Sequence, residues 1–91
     1  MSNERNAEVS YGERFLKSFK KLPARIQQKA EAVDSIFRDN IFEPRLHTHK
    51  LHGKDHQHWA YSIDNRYRIK FLFLDDRHVL YLDIGLHDEV Y

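Results

Sequence analysis

The apolar residues of this 91-residue chain change their period once, and that change constrains the fold more than any other feature. Before residue 40 they recur every three or four positions, as Phe15, Leu16, Phe19 and Leu22, then Ile26, Ala30, Val33, Ile36 and Phe37. That spacing is the stripe of an amphipathic helix. After residue 58 they alternate with their neighbours, as Trp59, Tyr61 and Ile63, then Tyr67, Ile69, Phe71 and Phe73, then Leu80, Leu82 and Ile84. Alternation is the signature of a strand with one buried face. Pro23 divides the two helical stripes and suits the first residue of a second helix. Asp64-Asn65 and Asp75-Asp76 supply turn chemistry between the alternating runs, and such short turns imply an antiparallel meander.

These patterns predict an α+β domain spanning residues 1–91, with an N-terminal helical hairpin packed on one face of a three- to four-stranded, mainly antiparallel sheet. Two readings remain open at the start. Val9-Ser10-Tyr11 suits a short first strand, whereas Ser10 three residues before Glu13 has the spacing of a helix capping box. The third strand is expected to bury Leu80, Leu82 and Ile84. Residues 41–58 read as a long histidine-rich connection, and Gly85 to Tyr91 as a tail leaving the sheet. The sheet face away from the helices is then open at Arg68 and Lys70.

Composition narrows the function classes. A chain of 91 residues makes one small domain that buries about 60–65% of its unfolded surface. With 41% hydrophobic and 32% charged residues, three Gly and two Pro, a disordered chain is excluded. Cysteine is absent, which removes disulfides, thiolate metal sites and cysteine nucleophiles. No apolar run approaches the roughly 20 residues of a membrane span. Met1-Ser-Asn-Glu-Arg does not read as a signal peptide, so a cytoplasmic protein with no membrane partner is expected. The net charge of +1 hides a division. Residues 45–70 hold six Lys/Arg against two Asp/Glu and five of the seven His, whereas residues 71–91 hold one against five. A local cationic region on a near-neutral chain points to an anionic target.

Three groups of residues can carry chemistry. His47, His49, His52, His56 and His58 crowd the central connection, where i,i+2 pairs could clamp a metal, although solvated or phosphate-facing imidazoles are the commoner case. Arg68 and Lys70 lie at i,i+2 of a strand and so share a face, offering a planar fork and a point charge to phosphate oxygens. His87 and Tyr91 close the chain with a group that titrates near neutrality and a ring that can stack on a base. Together these suit RNA cleavage without a metal or other cofactor. Attack of a 2′-hydroxyl on its own phosphate needs a base, cations for the developing charge and an acid for the departing 5′-oxygen. No cluster of Asp/Glu suited to two-metal chemistry is evident.

The run Pro44-Arg-Leu-His-Thr-His-Lys-Leu-His-Gly53, then Trp59, then Tyr67-Arg-Ile-Lys-Phe71, then Asp83-Ile-Gly-Leu-His-Asp-Glu-Val-Tyr91 resembles the RelE/ParE superfamily over nearly the whole chain. Its members are toxins of bacterial type II toxin–antitoxin systems, often described as plasmid stabilisation proteins. The resemblance is greatest to the YafQ and YoeB type of ribosome-dependent mRNA interferase. It implies His49 as base, Arg68 as holder of the scissile phosphate, His87 as proton donor and Tyr91 as the terminal aromatic of the site. Lys50, Lys54 and Lys70 are then the cations that bind RNA. The implied partners are mRNA, the ribosome and a cognate antitoxin. Two other functions stay open: a gyrase poison of the ParE branch, which needs neither histidine, and a degenerate toxin homologue that only binds antitoxin. A pI of about 8.1 and the extra histidines at 47, 52, 56 and 58 depart from the pattern.

Overall fold

The computed structural model describes residues 6–52 and 57–90. Strand β1 (Glu8–Tyr11) comes first, followed by helices α1 (Glu13–Lys20) and α2 (Ala24–Asp39). A single 3₁₀ turn at Pro44–Leu46 leads into a two-residue strand β2 (His49–Lys50). Strands β3 (Trp59–Ser62), β4 (Tyr67–Phe73) and β5 (His78–Leu86) follow, and a helical turn α3 (His87–Val90) ends the described chain. The strands form one sheet in the order β1-β5-β4-β3-β2. Strand β1 runs parallel to β5, and every other pairing is antiparallel. The helical hairpin and α+β class are those the periodicity predicts, but the sheet has five strands where three or four were expected.

Both additions are edge strands that carry little pattern of their own. Ser10 is taken into β1, so the alternative capping box does not form: Gly12 is the residue before α1, with no side-chain cap. The Ser10 hydroxyl instead lies 3.2 Å from Nε2 of His78 on β5. Gly12 turns the chain sharply from strand to helix, and its N–H donates to the Tyr81 carbonyl at 2.9 Å. A Cβ there would stand 3.0 Å from that same oxygen, so any larger residue requires the Tyr81 carbonyl to give by a few tenths of an ångström. Pro23 takes the position just before α2, one residue earlier than expected, and its carbonyl accepts from Ile26 and Gln27.

The core is the packing of α1 and α2 on one sheet face. Phe15, Ala30 and Phe37 from the helices meet Tyr61, Ile69, Phe71, Val79, Tyr81 and Ile84 from the strands. Phe37 stacks on Tyr61 with 4.4 Å between ring centres and meets Phe71 edge-on at 5.0 Å. The expectation that Leu80, Leu82 and Ile84 share the buried face is wrong for the first two. Val79 and Tyr81 are buried, while Leu80 and Leu82 are only half-buried. The reason is a bulge: Phe71 pairs with Tyr81, but Lys70 pairs with Asp83, so β5 carries one extra residue. The extra residue lets neighbours Asp83 and Ile84 both turn to the helical side. Ile84 joins the core, and Asp83 accepts from Ser18 Oγ at 2.7 Å and Arg14 Nε at 3.1 Å, both on α1. The expected C-terminal tail is also corrected. Gly85 and Leu86 remain in β5, and α3 folds back so that Val90 is 2% exposed.

Candidate active site

The face of the sheet turned away from α1 and α2 is ordered by register. Arg68 on β4 lies between Ser62 on β3 and Gly85 on β5. Two residues further along, Lys70 lies between Ala60 and Asp83, and Ala60 pairs in turn with His49. Away from the bulge, opposed residues of antiparallel strands project to the same side; Asp83 beside the bulge turns to the helices, whereas Arg68, Lys70 and, through Ala60, His49 share the open face.

The β3–β4 turn fixes the Arg68 guanidinium. Its Nη1 donates to the Asp64 carbonyl at 2.7 Å and to the Tyr67 carbonyl at 3.1 Å. The turn is itself secured by the Asp64 carboxylate, which accepts from the N–H groups of Arg66 (2.8 Å) and Tyr67 (2.9 Å). Lys29 of α2 reaches the second carboxylate oxygen at 3.3 Å. Partial burial acts to raise the pKa of this carboxyl, but the two N–H groups and Lys29 outweigh it and hold the group below the usual carboxylate range.

The same turn holds His87. Its backbone N–H donates to the Arg66 carbonyl at 2.8 Å, and its ring Nδ1 lies 3.3 Å from the Asp88 carboxylate. The side chain is 49% exposed. Residues 64–68 therefore fasten both the guanidinium and the histidine backbone at one end of the open face.

His49 is placed differently. Its ring Nδ1 donates to the His47 carbonyl at 2.8 Å, which puts the basic lone pair of the neutral ring on Nε2. His47 adopts a left-handed conformation (φ 53°) where the chain turns out of the 3₁₀ helix. His49 shares a row with Lys70, while three strand spacings and four residues separate it from His87. That places their backbones on the order of 20 Å apart. The structure thus brings Arg68 next to the His87 end, and His49 next to Lys70, as two adjoining groups. Lys50 is exposed and pairs with Trp59, so it leaves β2 toward the other face. Lys54, His56 and Tyr91 lie outside the described residues. Among the described residues, no group of three or more His, Asp or Glu side chains could hold a metal ion.

Sequence reasoning missed Asp64 and Arg66 as supports of the site, although the Asp64-Asn65 turn signal was visible. What it could not show is that the carbonyls of that turn point at Arg68 and His87.

No protein-family model and no curated protein matches the sequence. Solved structures do match. YafQ from E. coli strain BL21(DE3) superimposes with a TM-score of 0.76 at 13% identity, covering 93% of this chain and 98% of that one. The YoeB/ParE toxin from Agrobacterium tumefaciens gives 0.71 at 12% identity, covering 88% and 98%. The toxin–antitoxin complex RelBE2 from Mycobacterium tuberculosis gives 0.66 at 18% identity, covering 90% of this chain and 99% of the matched one. The hairpin on its mixed five-stranded sheet is therefore the fold of the YafQ, YoeB and RelE/ParE-type toxins.

Proposed function

We propose that this chain is the toxin of a type II toxin–antitoxin system, acting in the cytoplasm as a ribosome-dependent mRNA endonuclease. Its antitoxin is a protein that covers it, as the matched YafQ is found in complex with DinJ. The observation that carries the reading is the single turn, residues 64–68, that anchors Arg68 through the Asp64 carbonyl and His87 through the Arg66 carbonyl.

The chemistry follows from these groups. The 2′-hydroxyl loses its proton to a base and its oxygen bonds to the adjacent phosphorus. The bond from phosphorus to the 5′-oxygen breaks, and that oxygen takes a proton, leaving a 2′,3′-cyclic phosphate and a 5′-hydroxyl. Arg68 holds the non-bridging oxygens as charge builds on them. His87 supplies the proton to the 5′-oxygen, and Tyr91 follows it four residues later in sequence. His49, whose backbone lies on the order of 20 Å from that of His87, joins Lys70 as a ligand of the neighbouring phosphate, and solvent water takes the 2′-proton. No step requires a metal or cofactor.

The test is expression in bacteria without antitoxin, with mapping of mRNA ends. The parent chain should arrest growth and produce new ends within coding regions. Arg68→Ala and His87→Ala should each lower cleavage by about 10²–10³-fold with unchanged thermal unfolding. Growth arrest with intact messages, or a His49→Ala/His87→Ala double variant that stays toxic, would sink the nuclease reading and favour a poison of another target.

A further inference from the structure

The open face uses His49 but not its neighbour Lys50, nor the rings beside it. Strand β2 is two residues long, so His49 and Lys50 leave one sheet edge toward opposite faces. Lys50 pairs with Trp59, whose half-buried ring meets Phe42 edge-on at 5.8 Å and Phe73 edge-on at 5.3 Å. Phe42 is 57% exposed in the connection after α2, the barest of the four large hydrophobic side chains on the described surface. In sequence the connection that follows it is cationic: residues 44–54 contain Arg45, Lys50, Lys54 and three histidines, flanked by Glu43 and Asp55. The nearby acid, Glu43, is engaged by Arg45 at 2.8 Å.

An exposed ring and a half-buried one beside a lysine suit a single-stranded nucleic acid, whose unpaired bases offer π-faces and whose phosphates offer charge. A duplex hides those faces inside its own stack. An apolar peptide would bury the rings but leave the cations unanswered.

We propose that Phe42, Trp59 and Lys50 form a stacking subsite for single-stranded RNA, receiving the nucleotides next to those held on the open face. The assignment of RNA as substrate rests on the nuclease reading above. The short edge makes the path simple: a strand crossing β2 passes from His49 and Lys70 on one side to Lys50 and Phe42 on the other.

Trp59 is the chain's one tryptophan, so its emission reports directly on this subsite. The full chain is titrated with a short single-stranded oligoribonucleotide, 2′-O-methylated throughout so that it cannot be cut, while binding is followed independently by anisotropy of a labelled strand. Binding should quench Trp59. Phe42→Ala should weaken affinity about 10-fold, Phe42→Tyr should retain it, and Lys50→Ala should lower the salt slope by about 0.7. Phe42 is exposed, so its variants should unfold at the parent temperature. Unchanged Trp59 emission at saturation, parent-like affinity of Phe42→Ala, or equal quenching by a duplex overturns the proposal. The two readings fail separately: quenching by a chain that never cuts mRNA supports the subsite and counts against the nuclease.

Discussion

Arg68 is held by carbonyl oxygens, and the choice of partner matters. A carboxylate would fix the guanidinium equally well but would cancel its charge, whereas a carbonyl orients it and leaves the charge for a phosphate. Asp64 serves the site through its backbone while its side chain ties down the turn, a division that the residue's name alone does not reveal. Tyr81 shows the opposite economy. Its hydroxyl donates to Asp34 at 2.6 Å and meets the Tyr61 hydroxyl at 2.8 Å, while Arg38 grips the other Asp34 oxygen at 2.9 Å. Burial first, then the neighbouring Tyr61 and Asp34, push the Tyr81 phenol far above its ordinary range, so it acts as a neutral donor. Tyr81→Phe keeps the ring packing but leaves Tyr61 and Asp34 each short of a partner. It should cost about 1–3 kcal/mol in urea unfolding, and a loss within error of zero would show the network to be dispensable.

At the scale of elements, the two interior pairings were legible and the two edges were not. Strands β3, β4 and the first half of β5 alternate because one face is buried, and the helices repeat because a stripe is buried. Strand β2 is too short to show any period. Strand β1 was visible only as an alternative to a helix cap, because Ser10 suits both, and its parallel pairing with β5 decides between them. The bulge in β5 is likewise invisible in the sequence: Leu80, Leu82 and Ile84 look like one face until the register shift moves Ile84 to the other. The junction of β1 and α1 is equally demanding. Gly12→Ala places a methyl carbon 3.0 Å from the Tyr81 carbonyl, so β1 or α1 must shift. A loss of about 1–3 kcal/mol is expected, with hydrogen exchange accelerated in residues 8–11 before the rest of the sheet. Uniform acceleration throughout the chain would instead place β1 within the global cooperative unit.

For the whole molecule, the titrating groups define a stability window. Asp64 and Asp75 are both held below the usual carboxylate range, Asp64 by its N–H partners and Lys29 against the effect of burial, Asp75 chiefly by the N–H of Arg77. Their depressed values stabilise the fold above the ordinary value of 3.8, and that contribution drains away as pH falls below it. Tyr61 and Tyr81 are raised by burial, so their contribution is complete below 10.0 and declines as pH climbs past it. Thermal unfolding should therefore show a plateau across neutrality with losses on both sides. Asp64→Asn, which keeps a side-chain oxygen for the turn, should flatten the acid limb; an unchanged acid limb would remove Asp64 from its causes. Among the described residues no helix is long and apolar enough to cross a membrane.

The amino-acid sequence by itself determined the helical hairpin, the meander and the shared face of Arg68 and Lys70, because burial on one side imposes a period that survives in the order of residues. The tertiary structure alone decided which residues meet. The separation of His49 from His87, the fastening of Arg68 and His87 by one turn, and the exposure of Phe42 beside Trp59 depend on strand order, a bulge and the direction of particular carbonyls. Those are relations between distant parts of the chain, and a pattern read along the chain carries no record of them.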